Sequence, residues 1–346
     1  MTTIYFATNR KLAPGAEFSD AFHDNLDELR FGTATCEGRE LFKRDIADVA
    51  ASATIEVAPE RLSAENAAAS RLGSAAVFGR LQAELRDSGK DALIYIHGYN
   101  YSFRDSVARA CQLQQWLAAG GRDMAVCLFA WPSRGAGVST GAYRDDRNRA
   151  AAAGPALGRA ILKAVDFVRG TPRGQACNSR LHLVAHSMGA WALRGAVQSM
   201  RTFVGDNIPP LFEEVVLFAA DEDDDALSAR AKLSPILRGC RRATVYLNRQ
   251  DLALKASDVA VGNPDRLGKA GPEQGPDLPP KVVTVNASPA IIWDATGAAA
   301  WTRDETGHQY YRNNTIVRDD VVQVLAGTSD AEIKGRAEKP NFWLLG

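Results

Sequence analysis

Apolar residues fall along this chain in two alternating rhythms. Short runs apolar at nearly every position, such as ALIYI at 92–96 and VVLFA at 215–219, take turns with longer stretches where apolar residues recur every three or four positions. The first rhythm predicts strands buried on both faces and the second predicts helices with one apolar face. Strands are predicted at residues 3–7, 92–97, 124–130, 181–185, 215–219, 243–247 and 282–285. Helices are predicted at 63–88, 102–119, 145–168, 188–203, 225–238 and 319–325. This alternation predicts an α/β fold, a doubly wound and mostly parallel sheet with helices on both faces. Ligands in such sheets bind beyond the carboxyl ends of the strands, so chemistry is sought in the segments that follow them.

Composition changes this picture little. The 346 residues are 46% hydrophobic and 24% charged, as in ordinary globular chains. We read them as one domain over 1–346, with N-terminal strands and a helix over 1–90, a catalytic core over 91–325 and a C-terminal tail over 326–346. Lys plus Arg and Asp plus Glu both number 41, so a zero net charge gives no electrostatic case for nucleic acid or an anionic membrane surface. The five cysteines, Cys36, Cys111, Cys127, Cys177 and Cys240, show no CxxC spacing. They fit neither a disulfide framework nor a zinc site and suit a reducing compartment. The opening MTTIYFATNRK lacks the pattern of a signal peptide, and no apolar run approaches the roughly 18 residues of a membrane span. The expectation is a cytoplasmic protein with no transmembrane segment. The stretch GNPDRLGKAGPEQGPDLPP at 262–280 reads as a long surface loop, and the Ala-rich part of the helix at 150–164 as a packing face. Residues 11–62 either add strands to the sheet edge or cover a pocket.

Candidate chemistry begins at LHLVAHSMG, 181–189. Ala185-His186-Ser187-Met188-Gly189 sits between a predicted strand and helix, where a G-x-S-x-G nucleophile turn belongs, with Ala185 in place of the first glycine. Small residues two positions either side of the serine suit a tight, strained backbone. The alternative is that Ser187 only caps the helix. The Met188 N–H at the helix start is suited to an oxyanion. His182 and His186 are four apart but lie on a strand and lack the glutamate of H-E-x-x-H, so they read as packing rather than as zinc ligands.

A nucleophilic serine needs a base, and the base an orienting acid, in the chain order Ser, Asp or Glu, His on this type of sheet. Of the five histidines, His23, His97, His182 and His186 precede Ser187, which leaves His308, in ETGHQY, as the base. Two acids compete. Asp251 follows the strand ATVYLNRQD, and Asp221 follows VVLFAADEDDD, where acidic residues also suit a helix start. A second oxyanion donor is expected after the strand at 92–97, at the N–H of Tyr99 in His97-Gly98-Tyr99-Asn100, with Gly98 allowing close approach. His97 reads as an anchor of this loop. With Gly98, Trp131 and Tyr143 it is assigned to the substrate pocket.

With these residues assembled, the chain resembles an α/β-hydrolase, and more narrowly the bacterial esterase-like family known as domain of unknown function 900, over roughly residues 3–325. The resemblance rests on IYFATNR, LIYIHGYNYSFRDS, WPSRG followed by YRDD, HLVAHSMG, NRQDLALKAS with RLG, and GHQYY, in that order. It implies a Ser187, Asp251, His308 triad with the HGYN turn as oxyanion loop, and neither metal nor organic cofactor. It implies no particular substrate. The reading is a serine hydrolase, carboxylesterase-like, acting on a small-molecule or lipid-like acyl substrate. A thioesterase, amidase or acyltransferase on the same scaffold, or a binding module without turnover, are the rival readings. About twenty residues between the strand ending near 220 and the strand starting at 243 leave no room for a large cap domain there, so the pocket is expected to lie open between the loops at 131–146 and 252–280. Oligomeric state is not legible.

Overall fold

The computed structural model describes all residues except 26–27, 61–71, 135–138, 172–176, 207, 230–231, 263 and 292–305, and the side chains of 16, 168–170 and 259–261. The chain opens with β1 (Thr2–Thr8), a hairpin of β2 (Arg10–Ala13) and β3 (Glu17–Phe22), then β4 (Arg30–Cys36), α1 (Ile46–Ala51) and β5 (Thr54–Val57). The alternation read from the sequence follows: α2 (Gly73–Ser88), β6 (Asp91–Ile96), α3 (Phe103–Ala119), β7 (Met124–Ala130), α4 (Thr140–Gly170), β8 (Leu181–His186), α5 (Gly189–Val204) and β9 (Phe212–Phe218). After β10 (Cys240–Leu247) come α6 (Leu252–Val261), α7 (Leu267–Ala270) and β11 (Val282–Asn286). The end is α8 (Tyr310–Asn313), α9 (Thr315–Ala326) and a hairpin of β12 (Arg336–Lys339) and β13 (Phe342–Leu345).

Eleven strands form one sheet in the order β12-β13-β11-β10-β9-β8-β6-β7-β1-β4-β5. From β13 to β1 all neighbours run parallel. Antiparallel pairs close both edges. Side-chain alternation sends successive residues to opposite faces, and each face feeds its own core. Leu93, Tyr95, Val126, Leu128, Val184, Val216 and Phe218 pack with α1, α3 and α9. Ile96, Phe129, Leu183, Ala185, Val215 and Leu217 pack on the face covered by α2, α4 and α5. That two-sided burial is why these strands read as continuous apolar runs. After β6 the chain crosses to β7 on one side and later to β8 on the other, so the strand order reverses at the β6/β8 pair. A crevice opens at such a reversal, beyond the carboxyl ends of the two strands.

Several expectations are corrected. The helix expected at 225–238 is instead two short 3-10 turns, Asp224–Leu227 and Ser234–Gly239, with Pro235 starting the second. The helix expected from 63 is described from Gly73 onward, and residues 61–71 lie outside the described ones. The stretch 262–280 is not all surface loop. It contains α7, and Arg266 and Leu267 are fully buried. Strands β2 to β5, β12 and β13 were not anticipated. Of the two roles left open for residues 11–62, extension of the sheet edge is realised by β4 and β5.

The C-terminal hairpin is pinned by charge rather than by apolar area. Arg336 donates to both oxygens of Asp320 on α9, at 2.6 and 2.8 Å, and both side chains are fully buried. Tyr246 of β10 donates to the same carboxylate. Arg336→Met removes the counter-charge of that buried carboxylate, leaving it the Tyr246 hydroxyl, and is expected to cost about 3–5 kcal/mol, whereas Arg336→Met with Asp320→Leu costs less than the single change. Urea unfolding of the two variants reads the difference, and equal losses would contradict it.

Candidate active site

The β6/β8 crevice is where the serine turn forms. Ser187, directly after β8, has φ +52, a left-handed conformation rare for a residue with a side chain. Its N–H donates to the Phe218 carbonyl (3.0 Å) and its own carbonyl accepts from the Asp221 N–H (3.2 Å), so the end of β9 clasps the turn from both sides. A Cβ on Gly189 would lie 2.6 Å from the Ile96 carbonyl oxygen and 2.7 Å from that of His97, so only glycine lets α5 start against the end of β6. A Cβ on Gly98 would meet His186 Nδ1 at 2.8 Å and the Ser187 Cβ at 3.1 Å. These two glycines bring the HGYN loop against the serine. Met188, the residue preceding α5, presents its N–H at a helix start, where such groups have no intrahelical acceptor.

Opposite the serine turn, His308 Nδ1 bonds Asp251 Oδ2 at 2.7 Å, with His308 7% exposed and Asp251 not at all. Asp251 caps α6, its other oxygen accepting from the Leu254 N–H (2.9 Å), which fixes the carboxylate's orientation. Three successive carbonyls hold the histidine's loop. Thr306 O accepts from Leu252 N–H (2.9 Å), Gly307 O from Asn248 Nδ2 (2.8 Å), and the His308 O is 3.3 Å from His186 Nε2. The His186 ring lies between the His308 ring (4.8 Å) and Tyr311 (4.1 Å, stacked). The histidine beside the serine is therefore a prop for His308 as well as core packing. Asp221, the competing acid, is engaged elsewhere, by Tyr143 and Ser257.

The other assigned pocket residues divide. Tyr143 is half-buried with its ring against Tyr99 (6.0 Å, edge to face). His97 and Trp131 are fully buried, which corrects their assignment to a pocket wall. They stack at 5.0 Å beneath the loop, and Trp131 Nε1 donates to the His97 carbonyl (2.7 Å). His97 and Trp131 thus support the turn from below.

Sequence reading missed the network behind this loop. Ser133 Oγ accepts from the Asn100 and Tyr101 N–H groups (2.9 and 3.3 Å) and donates to Asp146 Oδ2 (2.5 Å). Arg10, fully buried, donates to the carbonyls of Tyr101 (2.9 Å) and Ser133 (3.3 Å) and to Asp20 (2.9 Å). The signal was present: Arg10, Ser133 and Asp146 each sit in one of the quoted segments, ATNR, WPSRG and YRDD. Only the fold shows that the three segments meet at HGYN.

Electrostatically, the buried rings are neutral. Burial, reinforced by Arg10, lowers His97 to about 3, and burial lowers His182 to about 4. Burial first, and the His308 ring next, hold His186 well below the usual histidine range. His182 lies 3.6 Å from Asp91 at the far end of β8, roughly 13 Å along the strand from His186, too far to share an ion. Among the described residues no group of three or more His, Cys, Asp or Glu is placed to hold a metal ion.

Two comparisons bear on this arrangement. A family model described as "Alpha/beta hydrolase of unknown function (DUF900)" matches residues 74–324, well over half of the chain. No curated protein matches.

Ser133→Ala removes the acceptor shared by the Asn100 and Tyr101 N–H groups and one of two donors to the buried Asp146 Oδ2, the Arg134 N–H remaining, and is expected to lower stability by about 1–3 kcal/mol in urea unfolding; a loss under about 0.5 kcal/mol would contradict the network. The buried rings set the pH response. A histidine whose folded value is depressed contributes stability that is full above about 6.5 and lost as the pH falls toward the folded value. Glu222, raised by burial to about 7, acts in the opposite direction between about 4.5 and 7. Burial also raises Glu60, Glu214 and Asp224, which act in the same direction as Glu222. Of these four only Glu222 is raised far, so the three histidines still give a net uptake of protons on unfolding near pH 5.5. Stability should therefore fall on going from pH 7.5 to 5.0, and a urea midpoint that is flat or rises over that range would count against neutral buried rings.

Proposed function

The chain belongs to the DUF900 family of alpha/beta hydrolases, and on that premise we propose that it is a serine hydrolase cleaving acyl esters at Ser187. The observation that carries the reading is the 2.7 Å bond between buried His308 and Asp251, 57 residues apart in sequence, on a loop held against the residue preceding Ser187. With Nδ1 bonded to Asp251, Nε2 is the nitrogen that takes the proton in this reading. In the proposed cycle His308 accepts the Ser187 hydroxyl proton as the oxygen attacks the ester carbonyl. Asp251 holds the tautomer and stabilises the imidazolium. The N–H groups of Met188 and Tyr99 receive the oxyanion. Return of the proton to the alkoxide leaving group collapses the tetrahedral intermediate to an acyl-enzyme. Water, deprotonated by His308, then releases the acid and restores the serine.

The strained turn supports the same reading. A capping serine needs no positive φ, since a cap residue is ordinarily extended. Ser187 at φ +52 projects its hydroxyl at the strand-to-helix corner instead. Gly98 and Gly189, each hemmed in by neighbouring backbone or side-chain atoms, place the facing loop within reach of the same corner. Asp251 rather than Asp221 is assigned as the orienting acid because Asp251 bonds the ring and Asp221 is bonded by Tyr143 and Ser257. No helix among the described residues is long and apolar enough to cross a membrane. The five free thiols support a cytoplasmic setting.

Hydrolysis of a p-nitrophenyl ester series tests this directly. Ser187→Ala and His308→Ala are expected to lose on the order of 10⁶-fold in turnover, and Asp251→Asn on the order of 10⁴-fold. A fluorophosphonate should label wild type at Ser187 and neither of the first two variants. Wild type that cleaves no ester and takes no label would overturn the proposal, and an active Asp251→Asn would move the acid elsewhere.

A further inference from the structure

Tyr143 is tied into the site by two contacts that the proposed cycle does not use. It is the fourth residue of α4, and its hydroxyl donates to Asp221 Oδ2 at 2.5 Å. Ser257 Oγ on α6 lies 2.9 Å from that hydroxyl and donates to Asp221 Oδ1 at 3.1 Å. The fully buried Arg266 guanidinium stands 3.8 Å from the same oxygen. The Asp221 backbone N–H donates to the Ser187 carbonyl (3.2 Å), beside the Ala190 N–H (3.1 Å). On the other side, the Tyr143 ring meets Tyr99 edge to face, and Tyr99 carries the second proposed oxyanion donor. Burial, with the Asp221 charge adding to it, raises the phenol's pKa and keeps its proton in place to donate.

One side chain thus touches the HGYN loop directly and reaches the serine turn through Asp221. The serine turn belongs to β8 and the HGYN loop to β6, and α4 belongs to neither. The loop is anchored at its base by Trp131 and at its far end by Ser133. At the far anchor Asn100 has φ +65, a left-handed conformation at which the chain changes direction. Tyr99 lies between the anchors, and Tyr143 meets it there. Oxyanion donors act at about 2.7–3.1 Å, and misplacing a group by about 1 Å can cost on the order of 10²-fold. A tie between the two walls therefore bears on rate without touching the reacting atoms.

We propose that Tyr143 is a positioning residue for the reaction at Ser187: through Asp221 it fixes the serine turn, through Tyr99 it fixes the facing loop, and so it sets the separation of the two oxyanion donors. This rests on the reading of Ser187 as the nucleophile. Tyr143→Phe keeps the ring and its packing on Tyr99 and removes the hydroxyl's bonds to Asp221 and to Ser257 Oγ, while Asp221 retains Ser257 and Arg266. The fluorophosphonate labelling rate, and kcat per titrated serine on a short p-nitrophenyl ester, should both fall about 10- to 100-fold, with KM within about threefold of wild type. Asp221→Asn retains an acceptor for the hydroxyl and should lose less than Asp221→Ala. Tyr143→Phe added to Asp221→Ala should cost nothing further, because both cut the same tie. If Asp221→Ala does not fold, Tyr143→Phe added to Asp221→Asn should lose as much as Tyr143→Phe alone.

The proposal is overturned if Tyr143→Phe labels and turns over like wild type. It is equally overturned if only the melting temperature falls while kcat per titrated site holds, which marks a purely structural contact. A rise in KM at constant kcat, which marks a substrate contact, also overturns it. Wild type that takes no label removes the nucleophile reading itself, a result separate from all of these.

Discussion

Ser187 can hold a left-handed backbone only because the neighbouring strand accepts the strain. A side-chain-bearing residue at φ +52 costs on the order of 1–3 kcal/mol and persists where the surroundings over-determine it. Here the Phe218 carbonyl and the Asp221 N–H occupy both of its backbone groups. The residue inside that clasp, Ala219, is itself at φ +44. Its N–H is taken by the Tyr310 hydroxyl (2.9 Å) and faces the Tyr246 carbonyl (3.3 Å), so the clasp leans in turn on β10 and α8. Tyr310 also donates to that same Tyr246 carbonyl at 2.9 Å. The strain of one turn is thus spread over three parallel strands and a helix that follows the His308 loop. A parallel sheet suits this purpose, because every strand ends at the same edge.

The facing loop is held by a different means, full burial of charge. Arg10 lies in the interior, where burial lowers it to about 10, still protonated at neutral pH. An isolated guanidinium there would be prohibitive, and the cost is offset because its two terminal nitrogens, though not Nε, meet the carbonyls of Tyr101 and Ser133 and the Asp20 carboxylate. Those carbonyls belong to the two loops that follow β6 and β7. The arrangement specifies position more than stability. Removing any member leaves an unpaired polar group in a low dielectric, so the loops have one satisfied arrangement rather than several.

What the sequence disclosed, and what it hid, follows from the range of each interaction. The inner strands were legible because burial on both faces writes itself into every residue, and ALIYI and MAVCLFA fall within β6 and β7 and VVLF within β9. The edges were not. TIEV of β5 and RAEK of β12 bury little, so nothing in their composition distinguishes them from loop. The 225–238 segment kept a helix-like pattern, yet Pro235 allowed only short turns. At the proposed site, Ser187, Asp251 and His308 were chosen by residue type and chain order, which are local and ordinal properties. Arg10, Ser133 and Asp146 could not, because most of their partners are backbone groups, up to 123 residues away, and a backbone partner leaves no mark on composition. His97 and Trp131 show the same limit from the other side. Both flank the crevice in sequence, but their rings stack beneath it.

His186 shows how the two supports combine. In the proposed cycle a positive charge appears on the His308 ring, and the His186 ring centre is only 4.8 Å from it. Two unit charges at that distance repel by roughly 3 kcal/mol at an effective dielectric near 20, enough to slow proton transfer more than a hundredfold. A histidine so placed is compatible with a basic His308 only if it stays neutral. Complete burial, with the His308, Arg109 and Arg312 charges adding to it, enforces that. The neutral ring still serves, since its one N–H faces the His308 carbonyl and its plane stacks on Tyr311. The same burial that makes the Ser187 turn rigid therefore leaves one place for the charge of the reaction, His308 against Asp251.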